Sequence, residues 1–217
     1  RVIFASSYLI YSPELYHFDD PQAQSIKLSE NSPITPRNLT GMAKLAHEIE
    51  LDFLSQYKAD SFSTTCVRIY RGYGCNSRDV ISRWVRSLIA GETIKVYQPE
   101  GRFDYIYAKD TAKGLVKLAA LSKSPKVLNL GTGLSRQVGD VVKILRDHFP
   151  SMKVEYVTSD LQFEASEANM ELYKSLLNWL PEYSLESAIN EIVDFERIRF
   201  SSQEKRGATT GNALVTS

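Results

Sequence analysis

Val2-Ile3-Phe4-Ala5-Ser6-Ser7-Tyr8-Leu9-Ile10-Tyr11 opens the chain with an unbroken apolar run that ends on two serines. Four apolar residues without polar alternation mark a strand covered on both faces, as in the middle of a parallel sheet. The pattern returns twice. Residues 62–70, Phe-Ser-Thr-Thr-Cys-Val-Arg-Ile-Tyr, are β-branched and aromatic, and Lys126-Val127-Leu128-Asn129-Leu130 runs into Gly131-Thr132-Gly133. Helical periodicity fills the intervals. From Leu39 to Tyr57 the residues Met42, Leu45, Ala46, Ile49 and Phe53 share one stripe. From Arg78 to Ala90 the stripe is Val80, Ile81, Trp84, Val85, Leu88 and Ile89, with Arg83 and Arg86 on other faces, Asn76-Ser77 as the cap and Gly91 as the stop.

Further along, strands are predicted at 94–97, 103–107, 126–130 and 153–157, with helices at 110–121, 137–148, 169–178 and 184–199. The alternation predicts an α/β fold with a largely parallel sheet. Residues 8–37 carry Pro13, Pro21, Pro33 and Pro36 and read as one long connection, of the kind that is functional or disordered. Ser201 to Ser217 is polar and reads as a disordered tail. With no initiator Met and a buried-type strand at once, the chain reads as the continuation of a longer polypeptide.

Composition excludes several classes. The 26 basic and 26 acidic side chains cancel, so no global field favours nucleic acid or an anionic membrane. Basic residues do not cluster with aromatics as an RNA-binding surface requires. No apolar run approaches the ~20 residues of a membrane helix, and the start has no signal-peptide pattern. Cys66 and Cys75 form no C-x-x-C and read as free thiols of a cytoplasmic protein. His17, His47 and His148 have no ligand spacing, so no metal site is expected.

Seven segments, in order, resemble the extended short-chain dehydrogenases, the NAD-dependent epimerase/dehydratase family that acts on sugar nucleotides. Ala5 to Tyr11 resembles the family's serine strand, with Ser7 four residues before the tyrosine. Thr40-Gly41-Met42-Ala43-Lys44 is similar to the start of its lysine-bearing helix, and Val67 to Gly74 to its strand ending R-x-x-N-x-Y-G. Arg78 to Tyr97, Phe103-Asp104-Tyr105-Ile106-Tyr107 with Asp110, Asn129 to Gly133, and Asn178-Trp179-Leu180-Pro181 with Ser184-Leu185-Glu186 match its later segments. The likeness runs from Val2 to about Ile189.

The resemblance implies a Rossmann-type parallel sheet, incomplete because the first βαβ units are absent, with a smaller C-terminal substrate-binding α/β domain. Residues 1–75 would be the end of the dinucleotide-binding domain and residues 76–200 mainly the substrate domain, with strand 126–130 returning to the main sheet. It implies NAD or NADP as cofactor, a nucleotide sugar as substrate, and a homodimer that pairs the helix after Lys44, whose apolar stripe would equally serve as core. In the family a tyrosine exchanges a proton with a substrate hydroxyl, and a lysine four residues on lowers its pKa and holds the cofactor ribose. A serine hydrogen-bonds the reacting oxygen. On this pattern Ser7, Thr40 and Lys44 take the catalytic positions, Ser6, Lys44 and Tyr70 the cofactor side, and Arg71, Arg102 and Tyr105 the substrate side.

The departures are specific. Thr40 stands where the family has tyrosine, and its hydroxyl is no phenol; as a local feature it reads as a helix N-cap. Arg71 replaces an asparagine and could fork onto a diphosphate or pair with a local carboxylate. Arg102 lies one place before the usual phosphate-contacting arginine, and no arginine occurs between Arg146 and Arg197. The glycine-rich turn that seats a pyrophosphate has no counterpart here; Gly131-Thr132-Gly133 lacks the third glycine. Three readings follow: an epimerase whose tyrosine is replaced by Thr40 or by one of Tyr8, Tyr11, Tyr70 and Tyr73; a non-catalytic binder of nucleotides or sugar nucleotides; and, ranked below the epimerase, a 4,6-dehydratase, which would want an acidic pair after Ser7 but meets Tyr8 and Leu9.

Overall fold

The computed structural model describes residues 1–123 and 125–211, with side chains through Gln203. Strand β1 (Val2–Ser7) leads into two single turns of 3-10 helix and two short strands, β2 (His17–Phe18) and β3 (Ile26–Leu28). Helix α1 (Leu39–Tyr57), strand β4 (Thr64–Ile69), strand β5 (Arg71–Tyr73) and helix α2 (Val80–Ile89) follow. Then come β6 (Ile94–Tyr97), β7 (Arg102–Phe103), β8 (Tyr105–Tyr107), α3 (Ala108–Ala119) and β9 (Val127–Leu130). The remainder is β10 (Arg136–Gln137), α4 (Val138–His148), β11 (Val154–Val157), β12 (Phe163–Glu164), β13 (Ser166–Ala168), α5 (Glu171–Leu177) and α6 (Leu185–Gly211).

A three-stranded parallel sheet in the order β1-β4-β9 is the framework. Its register sets Ser7 beside Ile69 and Ile69 beside Leu130. The three strands therefore finish level, which gathers the residues that follow them at one edge, where α/β proteins bind ligands. Strand β9 pairs with β4 in this sheet. Smaller pairs surround it: β5 with β8 and β6 with β11, both parallel, and β7 with β10, antiparallel.

Two apolar cores hold the chain. One gathers Tyr8, Tyr11, Tyr16, Val67, Tyr70, Leu128 and Leu130 with Leu118 of α3 and Tyr173 of α5. The other packs Trp84, Val85 and Leu88 of α2 against Val141 and Leu145 of α4, Val96 of β6, and Ile189, Ile192 and Val193 of α6. The apolar stripe predicted on α2 is thus core, and α6 is its main partner.

Several local expectations are corrected. The cap of α2 is Asp79, whose carboxylate accepts from the Ile81 and Ser82 amides at 2.8 and 3.0 Å; Asn76 instead turns the chain at φ 58. The cap of α1 is Asn38, accepting from the Gly41 amide at 2.9 Å, so Thr40 lies inside the first turn. The α1 stripe is not core: Met42, Ile49 and Phe53 are 58%, 62% and 66% exposed. Among the residues of this chain, Ala5 of β1 is exposed and Val2, Ile3 and Phe4 are half-buried. The long connection is ordered, since β2 pairs with β12 and β3 with β13. Helix α6 continues past Ser201 to Gly211, so the first part of the expected disordered tail is helical, and residues 212–217 lie outside the described residues.

Candidate functional site

Helix α1 approaches the sheet closely where it starts. A Cβ on Gly41 would collide with the Leu9 carbonyl, so only glycine lets the helix start seat on the loop after β1. One turn on, the Lys44 ammonium donates to the Ala5 carbonyl at 2.7 Å and lies 4.9 Å from the centre of the Phe4 ring. The Ser7 hydroxyl accepts from the Leu9 amide at 3.2 Å. Thr40 is exposed on the first turn of the same helix. The helix start and the strand end that carry Thr40, Lys44 and Ser7 are therefore neighbours.

Beneath them lies a buried polar network. Ser6 donates to Glu48, whose two carboxylate oxygens also take Arg68 Nε at 3.2 Å and Nη2 at 2.8 Å. Arg68 Nη1 donates to the Glu30 carbonyl at 3.1 Å, and its guanidinium covers the Tyr11 ring at 4.9 Å. Tyr11 donates to Asn129 Oδ1 at 2.6 Å. The network locks β1, α1, β4 and β9 together. It also occupies the Ser6 hydroxyl, which points to Glu48 beneath α1 and β4. Tyr70 is equally internal: it stacks on Tyr8 with ring centres 4.9 Å apart, and its hydroxyl reaches toward the Leu28 carbonyl at 3.5 Å.

Beyond the strand ends a cleft of about 510 Å³ opens between α2, β6 and the β7–β8 segment. Its cations are Arg37, Arg71, Arg83 and Lys95; its apolar walls are Val80, Trp84, Ile94, Tyr97, Phe103, Tyr105, Val138 and Leu161. None of its lining residues is acidic. Arg71 lies with its guanidinium carbon 4.2 Å from the Phe103 ring centre. Lys95 is exposed and 3.8 Å from Glu155, a contact of little strength in water. Arg83 is exposed on α2. Cationic groups between flat aromatic faces, with no competing carboxylate on the wall, suit a phosphate attached to a planar base.

Of the substrate-side residues read from sequence, Arg71 and Tyr105 line this cleft and Arg102 does not: its Nε donates to the Gln22 carbonyl at 3.0 Å. Arg37, Arg83, Trp84, Lys95 and Tyr97 were not singled out as site residues. A signal for part of this set existed, because Val80, Arg83, Trp84 and Ser87 recur at helical spacing along the edge of the apolar stripe of α2, where it meets the polar face.

A carboxylate, Glu164, sits behind the cleft and is 3% exposed. It accepts from the Tyr8 hydroxyl at 2.9 Å, from Ser166 at 2.7 Å and from Arg37. Burial alone would raise its pKa, but His17, Arg37, Arg71 and Ser166 hold it below the ordinary glutamate value. The four tyrosines near the strand ends are poor proton donors. Burial pushes Tyr11 up to about 12, and drives Tyr8, Tyr70 and Tyr73 well above the usual phenol range. None of them is tuned toward neutrality.

Gly131-Thr132-Gly133 is a structural turn. Asp104 accepts from the Thr132 amide at 2.7 Å, the Thr132 hydroxyl at 2.6 Å and the Gly133 amide at 2.9 Å. With those amides committed to a carboxylate, the turn cannot cradle a pyrophosphate. No group of three or more potential metal ligands occurs among the described residues.

The level strand ends, the lysine-bearing helix and the cationic cleft define a Rossmann-type α/β protein with a cation-lined cleft beyond its sheet. The chain belongs to the NAD dependent epimerase/dehydratase family, whose model matches residues 1–131. No curated protein matches it. Among solved structures it is similar to an NAD dependent NDP-hexosamine 5,6-dehydratase, TunA, involved in tunicamycin biosynthesis (23% identity, 90% of this chain, 63% of that one, TM-score 0.76). It is also similar to UDP-glucose 4-epimerase from Thermotoga maritima with UDP-glucose (21%, 91% and 63%, TM-score 0.76). The ADP-L-glycero-D-manno-heptose-6-epimerase of Helicobacter pylori gives 23%, 91% and 60%, with a TM-score of 0.72. The chain thus spans less than two thirds of the length of each.

Proposed function

We propose that this chain is the substrate-binding portion of an NAD-dependent enzyme acting on nucleotide-linked sugars, of the epimerase kind. The observation that carries the proposal is the cleft, whose cations and aromatic walls fit a nucleotide diphosphate and whose Arg71 stands two residues beyond Ile69, the register partner of Ser7. The inner end, at Arg37 and Arg71, would receive the sugar; the outer part, at Arg83, Trp84, Lys95 and Tyr97, the diphosphate and base. In this arrangement residues 1–75 with strand β9 form the sheet side, and residues 76–200 supply most of the cleft.

The sheet edge fits part of a cofactor site. Lys44 uses one ammonium hydrogen on the Ala5 carbonyl, which leaves two for the hydroxyls of a ribose. Ser7 accepts one amide and keeps its own hydrogen for a substrate oxygen. NAD, when bound, supplies the hydride acceptor. Ser6 and Tyr70, turned inward, would support this site rather than touch the cofactor. The exposed stripe of α1 supports a homodimer through Met42, Ile49 and Phe53. Cytoplasmic location is our reading of the two free thiols, Cys66 and Cys75; no helix among the described residues is long and apolar enough to cross a membrane.

A second reading, a non-catalytic sugar-nucleotide binder, is favoured by one observation: Thr40 is exposed and no neighbouring tyrosine has the lowered pKa a replacement needs. The dehydratase reading has no acidic pair after Ser7. Turnover decides. The full-length protein is incubated with UDP-, dTDP- and GDP-sugars, with and without NAD, and epimerised product is measured. The enzyme reading expects product that falls about a hundredfold or more in Lys44→Ala. No product in the wild type, and none gained in Thr40→Tyr, would leave the binder.

A further inference from the structure

At its inner end the cleft carries more positive charge than its surroundings cancel. Two guanidinium groups, Arg37 and Arg71, line it there, and one carboxylate, Glu164, lies behind them. Arg37 is the ion-pair partner of Glu164, which Tyr8 and Ser166 further saturate. His17 stands 3.8 Å from the same carboxylate. No carboxylate lies within ion-pair distance of Arg71 among the described residues. Its guanidinium rests on the Phe103 ring, and a ring face attracts a cation without neutralising it.

Arg71 is half-buried and stands two residues beyond Ile69, the register partner of Ser7. Two cations against one anion leave a surplus charge beside the position where the reacting sugar would lie. An incompletely solvated guanidinium is best satisfied by a planar anion it can grip with two hydrogen bonds. The cleft holds two further cations for the diphosphate, Arg83 and Lys95.

We infer that the sugar end of the cleft selects an acidic sugar, a nucleotide-linked hexuronate whose carboxylate is received by Arg71. The inference rests on the reading of the cleft as a nucleotide-sugar site. Its test is titration calorimetry of the full-length protein, wild type and Arg71→Asn, with UDP, UDP-glucose and UDP-glucuronate and with GDP, GDP-mannose and GDP-mannuronate. Circular dichroism and thermal unfolding establish that the variant folds. In the series whose base is accepted, the uronate should bind about tenfold or more tighter than the neutral sugar, and Arg71→Asn should abolish that preference while the free diphosphate loses less than about threefold. Equal binding of acidic and neutral sugars in the wild type overturns the inference. So does a variant in which the free diphosphate weakens as much as the uronate, which would place Arg71 on the phosphates. Absence of binding by all six ligands would bring down the nucleotide-sugar reading itself, and the inference with it.

Discussion

Thr40 and Glu48 lie about two turns apart on the same helix and have opposite fates. Thr40 is exposed at the helix start, whereas Glu48 is buried and holds Ser6 and Arg68. Removing one partner of a buried ion pair leaves the other charge unsatisfied, so Glu48→Ala should lower unfolding free energy by about 3–5 kcal/mol in urea denaturation. Glu164 makes a prediction in pH. Its folded pKa lies below the ordinary value of 4.5, so its stabilisation is present above that value and is lost as pH falls through the folded pKa. The stability gap between wild type and Glu164→Gln should therefore shrink steadily on acidification below about pH 4.5, and a gap that is constant from neutral to acid pH would contradict this. At this scale Ser7, Lys44 and Arg71 could be singled out as candidates from sequence, because each belongs to a short motif at fixed spacing. Glu164 was invisible: its partners Tyr8 and Arg37 lie 156 and 127 positions away.

Helix α1 was legible to the residue, from Leu39 to Tyr57, yet its role was not. Periodicity reports that one face is apolar and cannot say whether the chain's own core or another surface covers it. Leu39, Met42, Ile49, Phe53 and Tyr57 remain exposed, and Phe53 stacks against Tyr57 with ring centres 6.3 Å apart. Large apolar side chains exposed together on one helix face are what a protein contact would cover, and the proposed homodimer would use this face. Analytical ultracentrifugation should show a dimer that Ile49→Arg with Phe53→Glu converts to monomer, with little loss of thermal stability in the monomer. A wild type that is monomeric at high concentration would contradict the homodimer. The elements of residues 8–37 were not legible. Strands of two or three residues leave no period, and β2 and β3 exist because β12 and β13, far along the chain, pair with them.

Across the whole molecule, the order of strands and helices carried the fold: three parallel strands ending level, with the return of β9 readable from residues 126–130. The cleft was only partly readable, since it is assembled from α2, β6, the β7–β8 segment and the residue before α1's cap, which no local window joins. Arg83 makes the most direct test of what that cleft does. It is exposed, it has no carboxylate partner within ion-pair distance among the described residues, and its replacement leaves the core untouched. The measurement is the affinity of the full-length protein for nucleotide diphosphates and their sugars by titration calorimetry, wild type against Arg83→Glu. Binding by the wild type is expected, with a loss of about tenfold or more in the variant, steepened at low salt, and with thermal unfolding unchanged. Binding that is indifferent to Arg83→Glu, or no binding at all, would contradict it.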